Sequence, residues 1–188
     1  MALRLIILDF DGTLADTRLA NCMAYTEALS EHGYTLKRED YLNRFFGMRC
    51  PEFLRTIGFD SPEEIDTIRR RKIELYPTYF SSVRLNTPLW EFCQSFRRQG
   101  GKVWIASTGQ IANIRNAMRY LHLEDGIDGI ITSDDVTEPK PSPECFLRAM
   151  ETVGATPSET LIFEDSAVGL AAAEASGAAF CRVDFDKI

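Results

Sequence analysis

The sequence predicts an α/β fold: a parallel sheet with crossover helices, interrupted by an inserted block that is all helix. Three observations predict it. Short apolar runs alternate with helical patterns over most of the 188 residues, the signature of parallel strands joined by helices. From about Asp16 to Ser81 that alternation stops, and several helical segments follow one another with no strand pattern between them. Apolar residues make up 45% of the chain and charged residues 26%, the balance of a globular protein with an ordinary core.

Leu3–Leu8 is the first apolar run, unbroken over Leu5-Ile6-Ile7-Leu8, the pattern of a strand buried on both faces. The block after it is punctuated by Gly33, Gly47, Pro51 and Gly58-Phe59-Asp60-Ser61-Pro62, and reads as a separate helical lobe. The chain is expected to leave the sheet near Leu14 and return near Leu85, with hinges at Ala15–Thr17 and Ser82–Asn86. This gives a core of residues 1–14 and 85–188 and a helical domain of residues 15–84. Leu89, Phe92, Cys93 and Phe96 then recur at i, i+3, i+4 and i+7, opened by Thr87 with Pro88 at the first position and closed by Gly100-Gly101. Val103–Ala106 is the next strand, and Ile111, Ile114, Met118 and Leu121 mark the next helix. Gly129–Thr132 is a third strand. Phe146, Ala149, Met150 and Val153 repeat at helical spacing, entered through Ser142-Pro143 and stopped at Gly154. Leu161–Phe163 and Ala178–Val183 complete the strands. Between them Ala171–Ala175, ended by Gly177, is a small-residue helix able to lie close to a sheet.

Composition excludes several function classes. The formal net charge is −7, so the chain repels a nucleic-acid backbone, and Arg69-Arg70-Arg71-Lys72 is expected on the solvated face of a helix. No uncharged apolar run approaches the roughly 18 residues of a membrane span, and Asp9 ends the first run too soon for a secretory leader. The five cysteines are scattered and never form CxxC, which points to a reducing, cytoplasmic setting without disulfides or zinc. His32 and His122 each stand by a helix end, which leaves little room for a histidine triad or a histidine-rich metal site. A small-molecule partner is expected, with no nucleic acid and no membrane, and the chain as a monomer or weak homodimer.

The chemistry-bearing residues fall at strand ends. Asp9-Phe10-Asp11-Gly12-Thr13 follows the first strand, at the sheet edge where ligands of parallel α/β folds bind. Residues i and i+2 of an extended chain point the same way, so Asp9 and Asp11 share one side, and Gly12 allows a tight turn. Glu164-Asp165 ends Leu161-Ile162-Phe163 in an equivalent place, where Asp165 or Ser166 could equally serve as a helix cap. Neighbouring strands would crowd these carboxylates at one mouth, which calls for a cation. Hard oxygen ligands in small number favour Mg2+ over zinc. Ser107-Thr108-Gly109 closes another strand with hydroxyls and amides suited to an anion. Lys140 sits between prolines in Glu138-Pro139-Lys140-Pro141 and could offset phosphoryl charge.

In this order, Asp9-Phe10-Asp11-Gly12-Thr13, Ser107, Lys140 and Glu164-Asp165 resemble the four motifs of the haloacid dehalogenase superfamily, over the whole chain. Phe163-Glu164-Asp165-Ser166-Ala167-Val168-Gly169-Leu170-Ala171-Ala172 is similar to the subgroup containing β-phosphoglucomutase and phosphoglycolate phosphatase. The resemblance implies a Rossmann-like three-layer sandwich with an inserted helical cap. It also implies Mg2+-dependent phosphatase activity on a small phosphorylated metabolite. Asp9 would be the nucleophile that forms an aspartyl-phosphate, and Asp11 the general acid and then base. Ser107 and Lys140 would bind phosphoryl oxygens, with Thr108 and Gly109 beside the substrate. The metal would be held by Asp9, the backbone carbonyl of Asp11 and Asp165, with Glu164 as a ligand or its neighbour. In the cap, Thr17 matches the hinge position, and Arg49 of Gly47-Met48-Arg49 would grip a distal anion. A carboxylate at Asp11 favours phosphoryl over dehalogenase chemistry. Alternatives are a phosphosugar mutase and a non-catalytic phosphometabolite-binding protein. The chain departs from the pattern at Asn21, where the mutases carry histidine, and at Pro139, where the subgroup usually carries glycine.

Overall fold

The strands β1 (Leu5–Leu8), β2 (Ala15–Asp16), β3 (Arg84–Leu85), β4 (Lys102–Ala106), β5 (Gly129–Ile131), β6 (Thr160–Glu164) and β7 (Ala179–Arg182) are described by a computed structural model covering residues 2–187. The α-helices are α1 (Arg18–Ser30), α2 (Arg38–Asp40), α3 (Cys50–Thr56), α4 (Pro62–Leu75), α5 (Thr87–Arg98), α6 (Ile111–Tyr120), α7 (Glu144–Val153) and α8 (Ala167–Ser176). Contacts divide the chain into two units: Thr17–Val83, and the segments through Asp16 and from Arg84 onward.

The sheet unit orders its strands β5-β4-β1-β6-β7, all parallel, with helices on both faces. Strand β1 is central and every residue of it is fully buried, which is why it reads as an unbroken apolar run. Burial of each of these side chains stabilises the fold by roughly 1.5–3 kcal/mol. On one face Leu5, Ile7 and Ile162 pack with Cys145, Phe146, Ala149 and Met150 of α7 and Ala172 and Ala173 of α8. Alanines let α8 approach closely, and it ends at Gly177 in the left-handed conformation, as α7 does at Gly154. From β1 the chain builds outward through β4 to β5, then returns to the other side for β6 and β7. This reversal places the carboxyl ends of β1, β4 and β6 side by side.

Two features differ from the sequence expectation. Ala15–Asp16 pairs antiparallel with Arg84–Leu85 in a small ribbon, Arg84 bonding Asp16 at 2.7 Å, so these residues group with the sheet and not with the helical block. Helix α5 is capped by Asn86, whose Oδ1 accepts from Leu89 N at 3.2 Å, and not by Thr87.

The helical unit contains α1 to α4, a π-helical turn at Tyr41–Phe45 and a 3-10 segment at Tyr76–Ser82. Its interior is aromatic: Tyr25 and Phe45 both meet Phe53 at 5.0 Å between ring centroids. Helix α4 carries the basic run. Arg69 and Arg70 pair with Asp66, and Arg71 pairs with Glu31 and Glu74, while Lys72 turns inward at 3% exposure. The run is therefore not wholly solvated, because the helical period brings its fourth residue onto the face of Ile65 and Ile68. No helix among the described residues is long and apolar enough to cross a membrane.

Candidate active site

Sheet pairing carries on past the ends of β1 and β4 and fixes the residues that follow. Asp9 N donates to Phe163 O at 2.9 Å, and Ser107 N donates to Ile131 O at 3.0 Å. The chain then reverses around buried Phe10, whose carbonyl accepts from the amides of Leu14 and Ala15. Gly12 makes this turn at φ +95°, and a Cβ there would overlap the carboxylate of Asp165. The turn and the carboxylate thus require the same glycine. Thr13, fully buried, donates its hydroxyl to Asp165 Oδ1 at 3.1 Å and ties the first strand end to the sixth.

Lys140 lies at the centre. Its ammonium donates to Asp9 Oδ1 at 2.8 Å, Glu164 Oε1 at 2.7 Å and the carbonyl of Ala106 at 3.0 Å, using the three donors a lysine has. None of the three side chains is more than 8% exposed. Burial alone would lower the pKa of Lys140, but Asp9 and Glu164 outweigh it and raise it, favouring the charged ammonium. The balance is uneven, with one ammonium among the carboxylates of Asp9, Glu164 and Asp165. Burial pushes Asp9 well above the ordinary carboxyl range, with Glu164 and Asp165 adding to the rise and Lys140 opposing it. Asp165 is pushed to about 6, chiefly by burial and then by Glu164.

The carboxylate of Asp11 lies beside Ser107. A Cβ built on Gly109 would stand 3.2 Å from Asp11 Oδ2 and 3.3 Å from Ser107 Oγ, so the three residues share one small space. Ser107 is 4% exposed, and its hydroxyl accepts from Gly109 N at 3.0 Å. Thr108 is half-buried between them. Asp9, Asp11, Ser107, Thr108, Gly109, Lys140, Glu164 and Asp165 all belong to the sheet unit.

Thr17 and Arg49 belong to the helical unit. Thr17 is fully buried at the start of α1. Arg49 is half-buried at the start of α3, and its guanidinium has no partner among the described residues. Asn21 is held by Lys72 Nζ at 2.6 Å on its Oδ1, and its own amide donates to Thr17 O at 3.2 Å.

Comparison with known proteins places the chain in a family. Residues 6–183 match the model of the haloacid dehalogenase-like hydrolases. The chain belongs to that family. Protein CbbY of Rhodobacter capsulatus is 31% identical over 189 aligned positions, covering 94% of this chain and 83% of that one. Pyrophosphatase PpaX of Bacillus mycoides is 28% identical, covering 88% of this chain and 76% of that one. Among solved structures, a mutant of CbbY from Rhodobacter sphaeroides, in complex with xylulose-(1,5)bisphosphate, superposes with a TM-score of 0.87 at 25% identity. The match covers 97% of this chain and 86% of that one.

In this haloacid dehalogenase-like hydrolase Glu164 is anchored by protein donors. Glu164 accepts Lys140 on Oε1, and Ser166 N and Oγ on Oε2 at 2.8 and 3.0 Å, so both its oxygens are taken within the protein. Among the described residues no three His, Cys, Asp or Glu side chains gather as a metal cage. The carboxyl groups of Asp9 and Asp165, which burial and neighbouring carboxylates push toward their neutral forms, suit a hard cation that would favour their charge; such a cation needs only one or two carboxylates when water fills the remaining positions. Thr13, Ser166 and Gly169 are further residues of this site. The sequence offered Ser166 only as a cap, which it is, accepting from Gly169 N at 3.0 Å.

Proposed function

We propose that this hydrolase is a Mg2+-dependent phosphatase that releases phosphate from a small metabolite by way of an aspartyl-phosphate on Asp9. The observation that carries the reading is Lys140, held 2.8 Å from Asp9 Oδ1 and 2.7 Å from Glu164 Oε1. An oriented carboxylate beside a fixed ammonium is suited to attack phosphorus.

The reaction divides into two displacements. Asp9 attacks phosphorus and the bond to the leaving oxygen breaks, while Asp11 gives that oxygen a proton. Water then attacks the phosphoryl-enzyme as Asp11 takes its proton, and inorganic phosphate leaves with Asp9 regenerated. Ser107 and Thr108 would bind the phosphoryl oxygens, with Gly109 beside the substrate and its amide holding Ser107 Oγ. Lys140 has its donors committed to the protein, so its main task is to keep Asp9 ionised and aimed. The carboxylates of Asp9 and Asp165 with the main-chain carbonyl of Asp11 would hold Mg2+, and Glu164 would stand beside it as the anchor of Lys140. Bound there, the metal offsets the repulsion between a phosphate dianion and a carboxylate nucleophile.

Asn21 supports hydrolysis over mutase chemistry, because an amide fixed by Lys72 cannot exchange protons as histidine does. Arg49, without a partner among the described residues, suits a second anionic group on the substrate. Turnover of an aryl phosphate with and without Mg2+ tests the assignment. Metal-dependent phosphate release is expected, abolished by Asp9→Asn. Absence of turnover at every metal concentration overturns it, and faster interconversion than hydrolysis of sugar phosphates promotes the mutase.

A further inference from the structure

Gly169 lies inside α8, where glycine weakens a helix relative to alanine. Its φ is not in the left-handed region, so the backbone does not demand it. The neighbouring carboxylate does. A Cβ at position 169 would fall on the carboxyl group of Glu164, overlapping its carbon and both oxygens. The helix therefore has a notch in its first turn, and Glu164, 1% exposed, fills it. From the notch Glu164 Oε2 accepts from Ser166, and Oε1 faces Lys140, which bonds Asp9. Contacts run unbroken from Gly169 through Glu164 and Lys140 to Asp9, among side chains too buried for water to replace.

We infer that Gly169 is a positioning residue: its missing side chain seats Glu164 so that Lys140 is held against Asp9. The inference rests on the reading of Asp9 as nucleophile. With the notch filled, Glu164 must rotate away, Lys140 loses one of its two anionic anchors, and the aim of Asp9 relaxes. The groups expected to bind phosphate, at Ser107 to Gly109, are on another strand end and stay in place. Filling the notch should thus lower kcat and leave KM nearly alone. A helix position with no such duty would behave oppositely, since alanine favours the helix and should leave kcat unchanged.

The test is Gly169→Ala in the full chain with Mg2+ and an aryl phosphate. A fall in kcat of about 10- to 100-fold is expected for a displacement of this kind, with KM within about twofold of the parent. Parental kcat and KM in the folded variant overturn the inference. A second variant removes dependence on how well the first one folds. Glu164→Asp shortens the carboxylate by one methylene and vacates the space, so Gly169→Ala should cost less thermal stability in that background than in the parent. Equal losses in both backgrounds also overturn the inference. This stability cycle reads the notch without any turnover, so an inactive parent protein would sink the phosphatase reading and leave the cycle to decide on Gly169.

Discussion

Asp9 is drawn in opposite directions by its surroundings. Burial, Glu164 and Asp165 favour its neutral form, and Lys140 favours its charge. Replacing the carboxylate by an amide removes the proposed nucleophile while relieving that repulsion. Asp9→Asn is therefore expected to lower kcat by about 10^4-fold or more while unfolding cooperatively at a temperature no lower than the parent. Loss of the cooperative transition in thermal denaturation would contradict the placement of Asp9 at a strand end facing like charges. Gly12→Ala should act in the other sense, on structure first. It forces a side chain onto φ +95° and onto Asp165, costing about 1–3 kcal/mol, and an unchanged denaturation midpoint would show that the turn can relax. At this scale Asp9, Lys140 and Glu164, which touch, stood out in the sequence because strand-end carboxylates and a proline-flanked lysine are visible as motifs. The sequence did not reveal that both oxygens of Glu164 are occupied or that Gly169 makes room for them. Such facts depend on where side chains from separate segments touch, and spacing along the chain carries no trace of that.

Among the elements, the strands were legible as short unbroken apolar runs and the helices of the sheet unit through their repeated period. The ribbon of Ala15–Asp16 with Arg84–Leu85 was not, since two residues make no period, and the stretches read as hinges contain it. The cap of α5 was misplaced by one residue because Thr87 and Asn86 are both good caps, and the choice is made outside the helix. Asn86 Nδ2 donates to Thr13 O at 3.1 Å and its backbone N to Leu14 O at 2.9 Å, which binds the turn after β1 to the helix start. Asn86→Ala should cost about 0.5–2 kcal/mol, measured by denaturant unfolding, and should lower activity through the turn. A full-activity variant with that stability loss would confine Asn86 to capping. Pro139 makes a contrasting case. Glycine is usual there in the subgroup, yet Lys140 reaches Asp9 and Glu164 with proline in place. Pro139→Gly is expected to keep kcat and to lose about 0.4–1 kcal/mol by freeing the unfolded chain. A large drop in kcat would mean that the proline itself aims the lysine.

For the molecule as a whole, two levels of order were readable in advance: an alternating α/β sheet and a long helical interruption of it. Both follow from hydrophobic pattern, which survives without knowledge of any contact. What pattern does not show is how the sheet is cross-braced, and here Asp128 bears on the stability of the entire unit. It stands before β5 and accepts from Arg97 of α5 at 2.9 Å, from Lys102 at 3.2 Å and from the amide of Val103 in β4 at 2.9 Å. Burial alone would raise its pKa, but the bonds from Arg97, Val103 and Lys102 prevail and hold it below the usual carboxylate range. A group whose folded pKa is depressed stabilises the native state above its unfolded pKa, and that stabilisation fades as pH falls through the folded value. The unfolded value is about 3.9, so the loss should begin near there and continue below it. Asp128→Asn removes the titrating charge but keeps one acceptor for Val103. The parent should therefore be more stable than this variant at neutral pH, and the gap should narrow as pH falls below about 4. Denaturation midpoints of both proteins, taken from neutral to acid pH, measure that gap directly. A difference that stays constant across the range would mean the brace acts through shape alone, and that its charge contributes nothing to holding α5 and β4 to the edge of the sheet.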